Sequence, residues 1–136
     1  MKYEIDPGRS VPTVNVIDNL VYSTEQIDKT TGQKMELKLS ILMPGMPPRE
    51  AMNPNAEVEG TILAELPKLP CIVWVPGGGW RGQDKNQMVC ELGYLCQAGY
   101  VVACVQYRTS FEAIFPGQLC DLKAAIRFLR TKGVPY

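Results

Sequence analysis

The sequence predicts an α/β fold in which an antiparallel N-terminal hairpin leads into a parallel strand–helix–strand–helix unit. Three observations carry that prediction: apolar and polar residues alternate between Met35 and Ile41, two short apolar runs stand at Cys71–Val75 and Val101–Tyr107, and a helix-spaced segment follows each run. Period-two alternation marks a strand with one wet face, whereas an apolar run without polar alternation marks a strand covered on both faces. At 136 residues and 46% hydrophobic content, the chain fits one domain with a core of its own.

The leading hairpin falls within residues 1–43. Its strands are Val14–Tyr22 and Gln33–Met43, the second setting Met35, Leu37, Leu39 and Ile41 against Glu36, Lys38 and Ser40, and Asp28–Gly32 supplies the turn. Between 44 and 70, Pro44, Pro47, Pro48, Pro54, Pro67 and Pro70, with Gly45 and Gly60, break regular structure and predict a long loop. Loops of that length are usually functional or mobile.

Residues 71–136 make up the βαβα unit. Cys71–Val75 is its first strand, buried on both faces. Asp84 begins a helix with an Asp-x-x-Gln box closed by Gln87; Met88, Leu92 and Leu95 follow at helical spacing, and Gly99 stops it. Val101–Tyr107 is the second strand. Pro116 opens the last helix, whose Leu119, Leu122, Ile126 and Leu129 share a face, and Gly133 and Pro135 close it. Such alternation calls for right-handed crossovers and a parallel sheet covered by helices.

Composition excludes several classes. Lys plus Arg equals Asp plus Glu at 14 each, and no basic block stands ready to neutralise a run of phosphates, so nucleic acid is not an expected partner. The start, Met1-Lys2-Tyr3-Glu4-Ile5-Asp6-Pro7, carries acids and a proline where a secretory signal needs an apolar run. No segment approaches the roughly 18 apolar residues of a membrane span. A cytoplasmic protein without a membrane partner is the expectation. Five cysteines with no C-x-x-C pair and no histidine argue against zinc or a disulfide framework, and read as reduced core thiols. No metal and no cofactor are expected.

The run Val73-Trp74-Val75-Pro76-Gly77-Gly78-Gly79-Trp80 carries the chemistry. Glycines leave backbone N–H groups uncovered and let the chain turn sharply after a strand. Gly77-Gly78-Gly79-Trp80-Arg81-Gly82 satisfies G-x-G-x-x-G, the dinucleotide-binding frame. Against that reading, the third glycine should lie in the helix's opening turn, yet Asp84 places the helix start after Gly82. The acid expected roughly 20 residues on is also missing, because the next strand ends Gln106-Tyr107-Arg108. An arginine there suits a phosphorylated ribose and keeps the reading open. The other reading is an oxyanion hole. Acyl transfer passes through a species whose carbonyl oxygen becomes negative, and each preorganised donor lowers that barrier by roughly 2.7–4 kcal/mol.

These residues, together with Tyr107-Arg108, Phe115-Pro116-Gly117-Gln118, Asp121 and Ala124-Ala125-Ile126-Arg127-Phe128-Leu129-Arg130, resemble the amino-terminal half of an α/β-hydrolase of the esterase and lipase group with an HGGG-type loop. The resemblance is close over about residues 70–132 and implies one incomplete α/β-hydrolase domain over 1–136. It also implies that the N–H groups of Gly78 and Gly79 face the oxyanion. Pro76 stands where the family usually has a histidine that props the loop, which predicts a stiffer start to the loop without loss of the donors. In the family the nucleophile elbow, acid and histidine all follow later, and this sequence contains no histidine and no G-x-S-x-G. The expectation is therefore an enzyme-family chain without the triad, inactive alone, whose complete form hydrolyses small carboxylic esters. Without the elbow strand, Cys71–Val75 becomes a bare sheet edge, so self-association or pairing with a C-terminal half is expected. A short non-catalytic or partner-completed module is the alternative, with the dinucleotide module behind it.

Other residues carry two readings each. Trp80 either packs in the core, the commoner role of an aromatic after a glycine turn, or lines an acyl pocket. Tyr107 and Arg108 either brace the neighbouring loops through hydrogen bonds or simply end a strand. Asp121 reads as structural, its charge favoured by the helix dipole in the first turn. Ser110, Cys104 and Cys120 lack an activating base and are poor nucleophiles.

Overall fold

A computed structural model describes residues 13–45 and 69–132. The elements run β1 (Val14–Ile27), β2 (Lys34–Pro44), β3 (Cys71–Trp74), α1 (Val89–Gln97), β4 (Val101–Val105) and α2 (Gly117–Lys132). The four strands form one sheet in the order β1-β2-β4-β3, antiparallel except for the parallel β3–β4 pair. This is the expected α/β architecture, with β4 between the hairpin and β3. Most of the expected 44–70 loop, from 46 to 68, lies outside the described residues, as do residues 1–12 and the expected helix stop at Gly133 and Pro135.

Alternation along β2 and β4 sorts the core into two faces. Leu37, Leu39 and Ile41 join Val101, Val105 and Ala125 on the α2 side, while Leu42, Val102 and Cys104 meet Leu92 and Cys96 on the α1 side. β4 is buried at all five positions because it is paired on both sides and covered on both faces. β3 departs from the expected full burial. Cys71 is exposed and the next three residues are half-buried, because among the described residues β3 pairs on one side only. The core-thiol expectation holds for Cys96 and Cys104, whereas Cys71, Cys90 and Cys120 are exposed free thiols.

Both helices also differ in detail from the sequence pattern. α1 starts at Val89 and not at Asp84; the segment before it is a series of turns in which Asp84 Oδ1 accepts from the Asn86 N–H at 2.9 Å. The competing demand is burial of Lys85, which draws this stretch onto the hairpin. At the other end the expected stop is present, with Gly99 at φ 94° and its N–H bonded to the Cys96 carbonyl at 2.9 Å.

On α2, two residues of the expected apolar stripe, Leu119 and Ile126, are exposed, while its other two, Leu122 and Leu129, pack against the core. Gln118, Asp121 and Ala125 are buried, with Leu122, Phe128 and Leu129 packed beside them. Asp121 lies beyond the first helical turn, and its burial has a cause other than the helix dipole. Its carboxylate accepts from Arg108 Nε at 3.0 Å, from the Arg108 guanidinium at 2.8 Å and from the Arg108 backbone N–H at 3.0 Å. The second guanidinium nitrogen donates to the Ile27 carbonyl at 3.2 Å, tying the end of β1 to the same point.

Asp121→Ala leaves the Arg108 guanidinium buried without its counter-charge and is expected to cost about 3–5 kcal/mol, read as a lower midpoint of urea unfolding. The register of α2 is checked by a pair of variants: Leu119→Gln should shift stability by no more than about 0.5 kcal/mol, whereas Ala125→Gln, at a position with no exposure, should cost roughly 1–3 kcal/mol through overpacking.

Candidate active site

Beyond Trp74 the chain leaves the sheet edge, and Pro76 is buried with its carbonyl accepting the Tyr107 hydroxyl at 3.0 Å. Burial pushes the Tyr107 phenol up, so it stays protonated and able to donate. The glycines then reverse the chain: Gly78 has φ 151°, Gly79 φ 59° and Trp80 φ 64°. The Gly78 carbonyl accepts from Arg81 N–H at 3.1 Å and Gly82 N–H at 3.3 Å, closing the turn. A Cβ on Gly78 would sit 1.9 Å from the Gly82 carbonyl oxygen, so only glycine fits there.

Among the described residues, neither the Gly78 nor the Gly79 N–H has a hydrogen-bond acceptor. Gly79 also has open space where a Cβ would point, so its glycine is required by φ and not by crowding. The loop is held again at Trp80, whose carbonyl accepts the Ser110 N–H at 2.7 Å.

Trp80 is 62% exposed, which corrects the core-packing expectation. Its φ is 64°, and its ring meets Tyr107 edge-on with centroids 6.2 Å apart. It lines a cavity of about 610 Å³ whose walls are mostly apolar, from Ile114, Phe115, Leu119 and Leu122, with Lys29 and Ser110 among the polar lining. The loop bearing Ser110 is itself fixed: Glu112 accepts from the Thr109 N–H at 2.6 Å, Gln118 donates to the Ala113 carbonyl at 3.0 Å, and Lys29 Nζ donates to the Ser110 carbonyl. Arg108 is committed to Asp121 and Ile27 and is not free to hold a ribose phosphate.

Of the weighed nucleophiles, Cys104 is fully buried and its thiol is pushed up to about 11 by burial, which keeps it neutral. Cys120 is exposed on α2, and Ser110 borders the cavity. Among the described residues, no three His, Cys, Asp or Glu side chains converge as a metal site, and no helix is long and apolar enough to cross a membrane.

One cluster went unforeseen. Lys85, only 9% exposed, donates to Asp18 Oδ1 at 2.5 Å and to Ser40 Oγ at 2.8 Å, and Ser40 Oγ donates to Asp18 at 2.5 Å. The hydrogen bond from Lys85, then that from Ser40, holds the Asp18 carboxyl well below the usual carboxylate range. The available signal was a lysine placed in the expected first turn of a helix, where the dipole disfavours a cation.

No curated protein matches the chain. Among solved structures, Esterase B from Lactobacillus rhamnosis is similar at TM-score 0.60 and 24% identity, over 94% of this chain and 34% of that one. The apo form of Thermogutta terrifontis esterase 2 is similar at TM-score 0.60 and 21% identity, over 96% and 40% respectively. The same esterase phosphorylated by paraoxon gives 0.58 and 22%, over 97% and 42%. The chain thus spans about a third of Esterase B and two fifths of esterase 2, and at these identities the likeness is one of fold, the α/β-hydrolase fold. The BD-FAE family model matches residues 64–136, a stretch that takes in the glycine loop, β4 and α2 and just over half of the sequence. The chain belongs to the BD-FAE family, an α/β-hydrolase-type esterase domain.

Proposed function

We propose that these 136 residues are the amino-terminal half of a serine carboxylesterase, one incomplete domain that supplies the oxyanion hole and is inactive by itself. The observation that carries the proposal is the pair of N–H groups on Gly78 and Gly79, free of acceptors among the described residues and located at the end of a parallel edge strand beside an apolar cavity. Donors held in place before reaction stabilise a developing oxyanion without reorganising, which is where such a loop contributes to rate.

In the complete protein a serine attacks the ester carbonyl, its proton passes to a histidine, and the carbonyl oxygen moves onto the two amides as it becomes negative. Collapse of that tetrahedral species expels the alcohol and leaves an acyl-enzyme for water to cleave. None of the attacking groups lies within this sequence, which has no histidine. Trp80, exposed at the cavity's edge, contacts the acyl or alcohol group, and the apolar lining favours small apolar ester substituents.

A second reading, a module completed by self-association or by a separately encoded partner, is favoured by β3, which pairs on one side only among the described residues and ends beside exposed Val75. The dinucleotide reading loses ground. α1 begins at Val89, well beyond Gly82, so the glycines do not lead into a helix N-terminus that would hold a pyrophosphate.

Incubated with p-nitrophenyl acetate or butyrate at neutral pH, the purified chain should show no hydrolysis above buffer; turnover by homogeneous material would refute the proposal. In a complete protein containing these residues, Gly78→Ala keeps every N–H but forces a Cβ to 1.9 Å from the Gly82 carbonyl oxygen; the loop must shift, and kcat is expected to fall by about 10²–10³-fold with KM little changed, because the displaced donors act on the transition state and not on the ground state. An unchanged kcat would remove these amides from the oxyanion hole.

A further inference from the structure

The chain between β3 and α1 runs from Val75 to Met88 without a regular element, so its shape depends on where it is fastened. Its upstream end is fastened at Pro76 by Tyr107 and its middle at Trp80 by Ser110. The downstream end is fastened by an ion pair between Lys85 and Asp18.

An ammonium group is strongly hydrated, and placing one where it is 9% exposed requires replacing that water. Lys85 has three N–H donors, and all three are used: Asp18 Oδ1 at 2.5 Å, Ser40 Oγ at 2.8 Å and Asn86 Oδ1 at 3.4 Å. The acceptors are prepared in advance. The β1–β2 register slips between Ile17 and Leu20, Asn19 takes φ 59°, and its backbone and side-chain nitrogens donate to the Asp18 carboxylate at 2.8 and 3.0 Å. Ser40 has no exposure and sits on β2 opposite Cys104 of β4, a position as rigid as the sheet offers. Lys85 is three residues beyond Gly82, the residue whose carbonyl lies against Gly78 and whose N–H closes the turn on the Gly78 carbonyl.

We propose that Lys85, gripped by Asp18 and Ser40, is a positioning residue: it clamps the downstream end of the glycine loop to the β1–β2 hairpin and so fixes the direction of the Gly78 and Gly79 N–H groups. The inference rests on the reading of that loop as an oxyanion hole. Lys85 does not line the apolar cavity, so it acts through the loop and touches no substrate.

Residue-level hydrogen exchange on the 136-residue chain tests the clamp. In Lys85→Met, and separately in the milder Asp18→Asn, the Arg81 and Gly82 amides, which are bonded to the Gly78 carbonyl, should exchange at least about tenfold faster while the β2–β4 ladder changes by less than about twofold. Equal acceleration of loop and ladder, or an unchanged loop, would overturn the proposal. The double variant Asp18→Leu/Lys85→Met, which removes both charges, supports the clamp if the loop stays fast while unfolding stability recovers; restored loop protection would show the pair only offsets its own burial. Should Lys85→Met fail to fold, Asp18→Asn and the double variant carry the test. In the complete protein, a fall in kcat with steady KM for Asp18→Asn follows if clamp and oxyanion hole both hold. A responding loop with unchanged kcat keeps the clamp and removes the oxyanion reading.

Discussion

A carboxylate with no exposure to water must be surrounded by donors, and Asp121 meets that requirement through one residue, Arg108, which reaches it by side chain and backbone together. This bond decides more than its own energy. It selects which face of α2 turns inward, since the helix rotates to bury a charge and leaves Leu119 and Ile126 in solvent. It joins the end of β4 to α2 and, through the Ile27 carbonyl, to the end of β1. The loop carrying Thr109 and Ser110 starts at this junction, and Ser110 in turn holds the Trp80 carbonyl. Buried pairs of this kind contribute little net stability over an apolar replacement, so their value is geometric.

The glycine loop has no regular element of its own, yet it is fastened at Pro76 and Trp80 by the segment that follows β4 and at Lys85 by the β1–β2 hairpin. Under the proposed oxyanion role such restraint matters, because an amide that reorients during reaction loses most of its electrostatic advantage. Proline at 76 contributes as well. Its own nitrogen carries no donor, but its carbonyl remains available and is the atom that Tyr107 grips.

What was legible in the sequence follows from how local the cause is. β2 was legible because its period-two pattern reflects a sheet with one apolar face, and β4 because double coverage produces a run without polar alternation. The Gly78 requirement was legible because a three-glycine turn after a strand has few uses. The start of α1 was not legible: Asp84 and Gln87 fit a capping box, but burying Lys85 against Asp18, sixty-seven residues away in sequence, outweighs a local cap. The stripe on α2 misled at Leu119 and Ile126 for the same reason, since the inward face is chosen by Arg108, thirteen residues upstream. Of the two readings of Trp80, core packing and pocket lining, the sequence could not choose, because its positive φ, which an aromatic residue rarely adopts, is not visible in composition.

The outer rim of β3 has a further consequence. The strand is only Cys71–Trp74, with Pro70 immediately before it and Pro76 two residues past its end. Neither proline has a proton to offer along that rim, so any strand that docks there finds a ladder only a few rungs long. A strand that paired there would therefore be held mainly by side-chain packing across the faces of the sheet, and an endless stack of copies growing from that border is disfavoured from the outset.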